Sequence, residues 1–159
     1  LDGHPSEGLK YCDKCMPLPG DDVVVTSSYS GAIVHRPECA AMAVGRLSNE
    51  YFVPVWAARM VAALPAQVVV HANDRKGLLA DCARVVADTN VNVSAVQTRS
   101  FVDEHGLHLA EMKFTVHVKS RATFGRCVDA LRGVAGVAQV SRMQPERPYT
   151  LADKSGLQY

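Results

Sequence analysis

Between Ala110 and Val118 the chain alternates without interruption. Ala110, Met112, Phe114, Val116 and Val118 are apolar, while Glu111, Lys113, Thr115 and His117 between them are polar. Side chains of an extended chain point to opposite faces in turn, so this segment is a strand with one wet face and one dry face. A dry face needs a second layer, and two stretches supply it. Leu78, Leu79, Cys82, Val85, Val86 and Thr89 recur on one side of a helix, as do Phe124, Cys127, Val128 and Leu131. Three further extended runs complete the set: Gln67–Ala72, the stretch from the Val-Asn-Val after Asn90 to about Phe101, and Val137–Met143. Asp103-Glu-His-Gly106 has the composition of a hairpin turn. The order βαββαβ over residues 65–143 folds as a four-stranded antiparallel sheet with both helices on one face, the ferredoxin-like plan of the α+β class.

The first sixty residues follow different rules. Residues 1–10 are polar, contain Gly and Pro, and are expected to be a linker. Val23–Thr26 and Ala32–His35 are short β-rich runs separated by serines and Gly31, a hairpin signal. Pro37 is expected to open a helix that stops near Gly45, because proline is tolerated at a first helical position. Tyr51–Met60 is expected to return as a strand, making residues 11–60 a ββαβ-like module. A unit this short buries too little apolar surface to stand easily on its own. It needs a staple. Residues 144–159, with two prolines and no apolar periodicity, are expected to be a flexible tail.

The cysteines offer that staple. Of the five, Cys82 and Cys127 sit in helical core patterns and behave as small hydrophobes. Cys12, Cys15 and Cys39 lie among Gly, Pro and Asp. With no secretory signal in view, a disulfide framework is not expected. Cys12-x-x-Cys15 followed by His35-x-x-x-Cys39 provides three thiolates and an imidazole, a donor set suited to tetrahedral zinc, and the hairpin between the pairs would bring them together. If all four bind, no position stays open for a substrate, and the zinc is structural. The competing reading leaves Cys12 and His35 incidental and the site weak or empty. A redox role for the Cys-x-x-Cys pair fits less well, since that motif belongs at a strand-to-helix junction and this one precedes Pro-x-Pro-Gly.

A second candidate is His71-Ala-Asn-Asp-Arg-Lys-Gly-Leu-Leu-Ala-Asp-Cys82. Free N–H groups in the first turn of the helix attract a carboxylate, Gly77 allows close approach, and Asp74 could meet an ammonium group. The set suits a zwitterionic amino acid. The plainer alternative is that Asp74 caps the helix, Gly77 permits the turn, and Arg75 and Lys76 are solvated. Nothing points to catalysis: the chain has no Gly-rich phosphate loop, no H-E-x-x-H and no recognisable nucleophile motif. Seventeen basic against sixteen acidic residues, a net charge of +1, make no positive case for a strongly electrostatic nucleic-acid binder. No apolar run approaches the roughly 20 residues of a membrane helix, and Leu1 in place of Met suggests a piece of a longer protein.

Three stretches carry a resemblance. KCMPLPGDD, then VHRPEC, then VVVHANDRKGLLADCARVVADTNVNVSAVQTRS resemble the C-terminal regulatory region of the long RelA/SpoT-type stringent-response enzymes, over residues 9–143. That family carries a zinc-finger-like module, also called the ribosome-intersubunit module, with Cys-Cys-x-Pro-x-Pro-Gly-Asp and a later His-Arg-x-x-Cys. An ACT domain with an Asp-Arg-x-Gly-Leu-Leu turn follows. Lys14 stands where the family has its first cysteine, and Cys12, two residues upstream, is the candidate replacement beside Cys15, His35 and Cys39. The resemblance implies a regulatory fragment without catalytic residues, whose parent makes or degrades the alarmone (p)ppGpp. It implies contact with ribosomal RNA and tRNA when uncharged tRNA occupies the ribosome, and a cytoplasmic or plastid setting with no membrane partner. It further implies a homodimer through the ACT domain and allosteric binding of a small amino acid such as valine or isoleucine. The residues implied are Asn73, Asp74, Arg75, Gly77, Leu78 and Leu79, with Asn90, Val91 and Asn92 at the start of the next strand. A second reading keeps the amino-acid sensor and a structural zinc scaffold but gives the chain no ribosome role.

Overall fold

The structure, a computed structural model, describes residues 9–28, 31–42 and 62–144. It contains β1 (Leu9–Tyr11), β2 (Val24–Ser28), β3 (Gly31–His35), β4 (Leu64–Asn73), α1 (Leu78–Asp88), β5 (Asn92–Val102), β6 (His108–Val118), α2 (Arg121–Arg132) and β7 (Val137–Arg142).

The second half is the expected βαββαβ unit. Its sheet runs β5-β6-β4-β7, with every pairing antiparallel. All five apolar residues of the alternating strand are buried, and they sit opposite the buried set of β4: Leu64 against Val118, Ala66 against Val116, Val68 against Phe114, Val70 against Met112, and Ala72 against Ala110. Over that face lie Leu78, Cys82 and Val86 of α1 and Phe124, Cys127, Val128 and Leu131 of α2. Helix α2 starts where Ser120 accepts the Thr123 N–H at 3.2 Å, an N-cap. Helix α1 ends at Asp88 with Thr89 as its C-cap, and the chain leaves it through Asn90, whose φ of 58° is tolerated by asparagine better than by most residues. Strand β4 is longer than the apolar run Gln67–Ala72 and admits Pro65. It can do so because β7 reaches only as far as Val68, so no ladder bond is asked of the proline nitrogen on that side. At the other edge β5 is exposed almost throughout, with Val96, Phe101 and Val102 in view of solvent.

The first half departs from expectation in two places. Leu9–Tyr11 is a strand rather than the end of a linker, and it pairs in parallel with β3, giving a sheet of order β1-β3-β2. Its ladder partner is that short strand, so the sequence around it carries no periodic signal. Pro37 does not open a helix. It occupies the second position of a turn closed by Cys39 N–H to Arg36 C=O at 3.0 Å, and helical backbone begins only at Ala41. Proline's fixed φ suits both positions, which is why the local sequence does not distinguish them. The rest of that helix and the strand expected at Tyr51–Met60 lie outside the described residues, as does the chain from 145 onward. No helix among the described residues is long and apolar enough to cross a membrane.

Candidate functional site

The short sheet delivers four donors to one point. Cys12 follows β1 and extends its ladder, donating its N–H to Val34 C=O at 3.0 Å. A tight turn, closed by Met16 N–H to Cys12 C=O at 2.9 Å, brings Cys15 around. His35 ends β3, and the Pro37 turn returns Cys39. The ligand atoms of Cys12, Cys15, His35 and Cys39 all lie within 4.8 Å of one another, and all four residues are buried. The Sγ atoms of Cys12 and Cys39 are 3.9 Å apart. Zn–S bonds of about 2.3 Å at tetrahedral angles would place two sulfurs about 3.8 Å apart. Cys15 Sγ accepts the Arg36 N–H at 3.3 Å, as metal-bound thiolates commonly accept backbone donors. Burial pushes the thiols of Cys15 and Cys39 above the ordinary cysteine range and holds the His35 imidazole below its own. His35 Nδ1 is buried without a hydrogen-bond partner, a cost that ligation would remove. Three soft sulfurs and one imidazole, whose Nδ1 is buried and unpartnered, fit a divalent metal ion. The cluster can hold one.

The ligand residues expected around α1 do not converge. Asn73 ends β4, Asp74 is exposed with no hydrogen bond or ion pair of its side chain to the described residues, and Gly77 sits at the helix N-terminus with φ 81° and no side-chain cap. A pocket of about 480 Å³ there is lined by Asp74, Gly77, Leu79, Thr98, Ser100 and Met112, among others. Leu78 faces the core, whereas Leu79 is 44% exposed. Asn90, Val91 and Asn92 instead line a separate pocket of about 560 Å³ with His117, Lys119 and Arg126. The two groups lie at opposite ends of α1, whose eleven residues span about 16 Å. Asp74 does not cap the helix. Arg75 is not simply solvated: its guanidinium donates to Ala135 C=O at 3.0 Å, to Lys76 C=O at 3.2 Å and to Asp81 at 2.7 Å, tying the β4–α1 turn to the loop before β7.

The residues that sequence reasoning missed join the two halves. Pro17-Leu18-Pro19-Gly20-Asp21 is a docking loop. Leu18 is fully buried within the core formed by α1, α2 and the large sheet. Pro19 C=O accepts the first N–H of α2, from Arg121, at 2.8 Å. That donor belongs to the set a helix leaves unpaired at its start. Gly20, at φ 100°, lies so near α2 that a Cβ would stand 3.4 Å from Arg121 Cβ. The Asp21 carboxylate accepts two bonds from Arg142, at 2.9 and 2.8 Å, and one from the Leu18 N–H at 2.8 Å. The available signal was the unusual density of Pro and Gly beside an apolar Leu, but it names no partner. A cleft of about 690 Å³ opens beside this joint. Its cations Arg36, Arg132 and Arg142 face the carboxylates of Glu38, Asp129 and Asp21, while Arg121 stands 3.9 Å from the same Asp21 and Asp22 also lines the cleft, so four cations are matched by four carboxylates.

Comparison with known proteins decides the family. The ACT domain matches residues 62–142, slightly more than half of the chain. The chain belongs to the ACT domain family. Longer alignments extend past the ACT domain to its amino-terminal side. The chain is 30% identical over 141 residues to a GTP pyrophosphokinase of Streptomyces coelicolor, covering 87% of this chain and 16% of that protein. It is 33% identical over 132 residues to the GTP pyrophosphokinase of Escherichia coli K12, covering 81% and 17%. It is 30% identical over 143 residues to the bifunctional (p)ppGpp synthase/hydrolase RelA of Mycobacterium tuberculosis, covering 89% and 19%. The chain therefore spans less than a fifth of the length of these relatives. What it matches in them is the regulatory ACT region, not the catalytic one. Among solved structures, the ACT domain from GTP pyrophosphokinase of Chlorobium tepidum superposes with a TM-score of 0.43 at 20% identity, covering 51% of this chain and 99% of that one.

Proposed function

We propose that this chain is the regulatory C-terminal region of a stringent-response alarmone enzyme, one that makes or hydrolyses (p)ppGpp. Its task is to sense amino-acid starvation through contact with ribosomal RNA and tRNA, in the cytoplasm. The observation that carries this reading is the similarity of 81–89% of the chain to GTP pyrophosphokinases and RelA, which extends beyond the ACT domain at residues 62–142 into the amino-terminal half. The cluster takes zinc, bound by Cys12, Cys15, His35 and Cys39. Four protein donors close the tetrahedron, so the ion shapes the module and does no chemistry. Holding the Met16–Asp21 loop against the ACT domain, the module would present one continuous surface to a large partner.

The test is sedimentation of the zinc-loaded chain with ribosomes, with and without uncharged tRNA in the decoding site. Binding that depends on uncharged tRNA is expected. No co-sedimentation under either condition overturns the ribosome reading.

A second reading, the amino-acid sensor, draws on the pocket at the β4–α1 turn. Asp74 offers an unpaired carboxylate to an ammonium group, the first turn of α1 lacks a side-chain cap, and Leu79 and Met112 supply apolar lining. These features suit valine or isoleucine. Because Asn90–Asn92 stand at the far end of α1, a complete site of that kind would draw them from a second copy. The exposed edge β5, with Val96 and Val102, is where such a homodimer would form. Calorimetric titration with the two amino acids separates the readings: heat without ribosome binding favours the sensor.

A further inference from the structure

The docking loop lies between two things that the fold has no local reason to connect. Its amino-terminal end is the Cys12–Met16 turn, which carries two donors of the cluster. Met16 C=O accepts from Arg142 Nη2 at 2.6 Å, one residue past Cys15. Leu18 then enters the ACT core, and Asp21 closes the loop onto Arg142. The second donor pair is connected in the same way. Arg36, next to His35, donates its N–H to Cys15 Sγ and its guanidinium to Gln144 Oε1, at 3.3 and 3.4 Å. Each half of the cluster is thus covalently one residue from a group bonded to β7 or its exit. The joint is sheltered: the side chains of Asp21 and Arg142 are 7% and 14% exposed. Arg142 also stacks its guanidinium 5.4 Å from the centre of the Phe124 ring in α2.

We propose that metal occupancy of the cluster and packing of the ACT core are energetically coupled through Leu18 and Asp21. Filling the cluster fixes the Cys12–Met16 turn, which seats Leu18 and aligns Asp21 with Arg142. Emptying it frees the turn and withdraws Leu18 from the core. Asp21 is a positioning residue: it touches no ligand atom and acts through the loop it closes. The inference rests on the metal reading above. Coupling of this kind is reciprocal, so whatever the metal contributes to the ACT domain must reappear as metal affinity lost when the joint is broken.

The experiment uses the whole chain. Zinc affinity is measured by competition with a chromogenic chelator for the wild type, Asp21→Asn and Leu18→Ala, and the Leu18 methyl resonance is followed as zinc is titrated. Each substitution is expected to weaken zinc binding roughly tenfold, within the 5–150-fold span of such couplings. Zinc is also expected to raise the melting temperature of the α1 and α2 helical signal in the wild type more than in either variant, and to shift the Leu18 methyl. Asp21→Asn leaves the half-buried Arg142 without its countercharge, a change that can unfold the joint outright. Leu18→Ala keeps both charges and carries the test by itself. If the chain binds no zinc, the metal reading and the coupling fall together. If it binds zinc and Leu18→Ala holds the ion within twofold of the wild type, with the helical melting shift unchanged, the coupling alone is overturned.

Discussion

The two halves of the molecule are held by different forces. The ACT half has a core of some twenty buried residues in one cluster, drawn mainly from two helices and three of its four strands and including Leu18 of the docking loop. Among the described residues, and apart from Leu18, the amino-terminal half divides its few buried apolar side chains between Val23, Val25 and Val34 on one side and the three cysteines with Met42 on the other. Apolar burial contributes about 25 cal/mol per Å² removed from water, and a few valines cannot offset the conformational entropy of three strands and their loops. What the small half has instead is a point where four donors meet. The contrast teaches that a motif read only as a binding site can also be the missing core of the segment that bears it.

The sharpest way to break this contrast is to withhold the zinc proposed for the cluster. Structural zinc contributes on the order of 10 kcal/mol to small metal-dependent folds. A chelator, or Cys15→Ser, is expected to abolish hydrogen-exchange protection in β1, β2 and β3 while amides of β4 and β6 stay protected. Retained protection in β3 after complete zinc removal, verified by elemental analysis, would show that the small half folds unaided. The converse experiment is Phe114→Ala, which empties the centre of the large core. It should cost about 3–5 kcal/mol of stability in denaturant titration. Zinc stoichiometry should remain at one per chain wherever the protein is folded.

Gly77→Ala is expected to do less. The nearest atom to its Cβ would be Arg75 Nη1 at 3.9 Å, so space is available, but the φ of 81° is not. A cost of about 1–2 kcal/mol for an L-residue in the left-handed region is the whole effect. Calorimetric melting should show it with no change in zinc affinity. The smallest effect concerns Glu111. A hydrogen bond with His71, at 3.1 Å, and the nearby charges of Arg99 and Lys113 hold its carboxyl below the usual glutamate range. A depressed folded-state pKa means that the unfolded chain binds the proton more readily. The contribution is therefore present above about pH 4.5 and lost as the pH falls through the folded value. Glu111→Gln should lower the melting temperature slightly at pH 6 and converge with the wild type at strongly acidic pH. A constant difference across that range would exclude the linkage.

Much of the large half was legible because its signals are local and periodic. The alternation from Ala110 to Val118 and the helical spacing of Cys82 and Cys127 follow directly from which face is dry, and they fix the layer arrangement. The clustering of Cys12, Cys15, His35 and Cys39 was legible because their spacing is that of a metal-ligand set. The docking loop was not. Leu18 in Pro-Leu-Pro-Gly resembles a solvent-facing turn residue, and Asp21 finds its partner 121 positions away. Arg75 misled for the same reason, since Ala135 is 60 positions distant. Pairings of that span leave no periodicity to detect. The expected ligand residues do not share one pocket within a single copy: Asn73–Leu79 and Asn90–Asn92 are close in sequence, but the intervening helix is a rigid spacer and sets them apart.

Strand β7 has an unusual placement. Its approach is pinned by Arg75 at Ala135 and by the Asn73 N–H on Gly136 C=O at 2.8 Å, beside the pocket at the β4–α1 turn. Its last residue is Arg142, in the grip of Asp21. Six residues at about 3.3 Å each make a rod some 20 Å long. A nudge to the pocket's rim therefore has a stiff connecting rod to the opposite pole of the domain, and a pull there would be felt back at the rim.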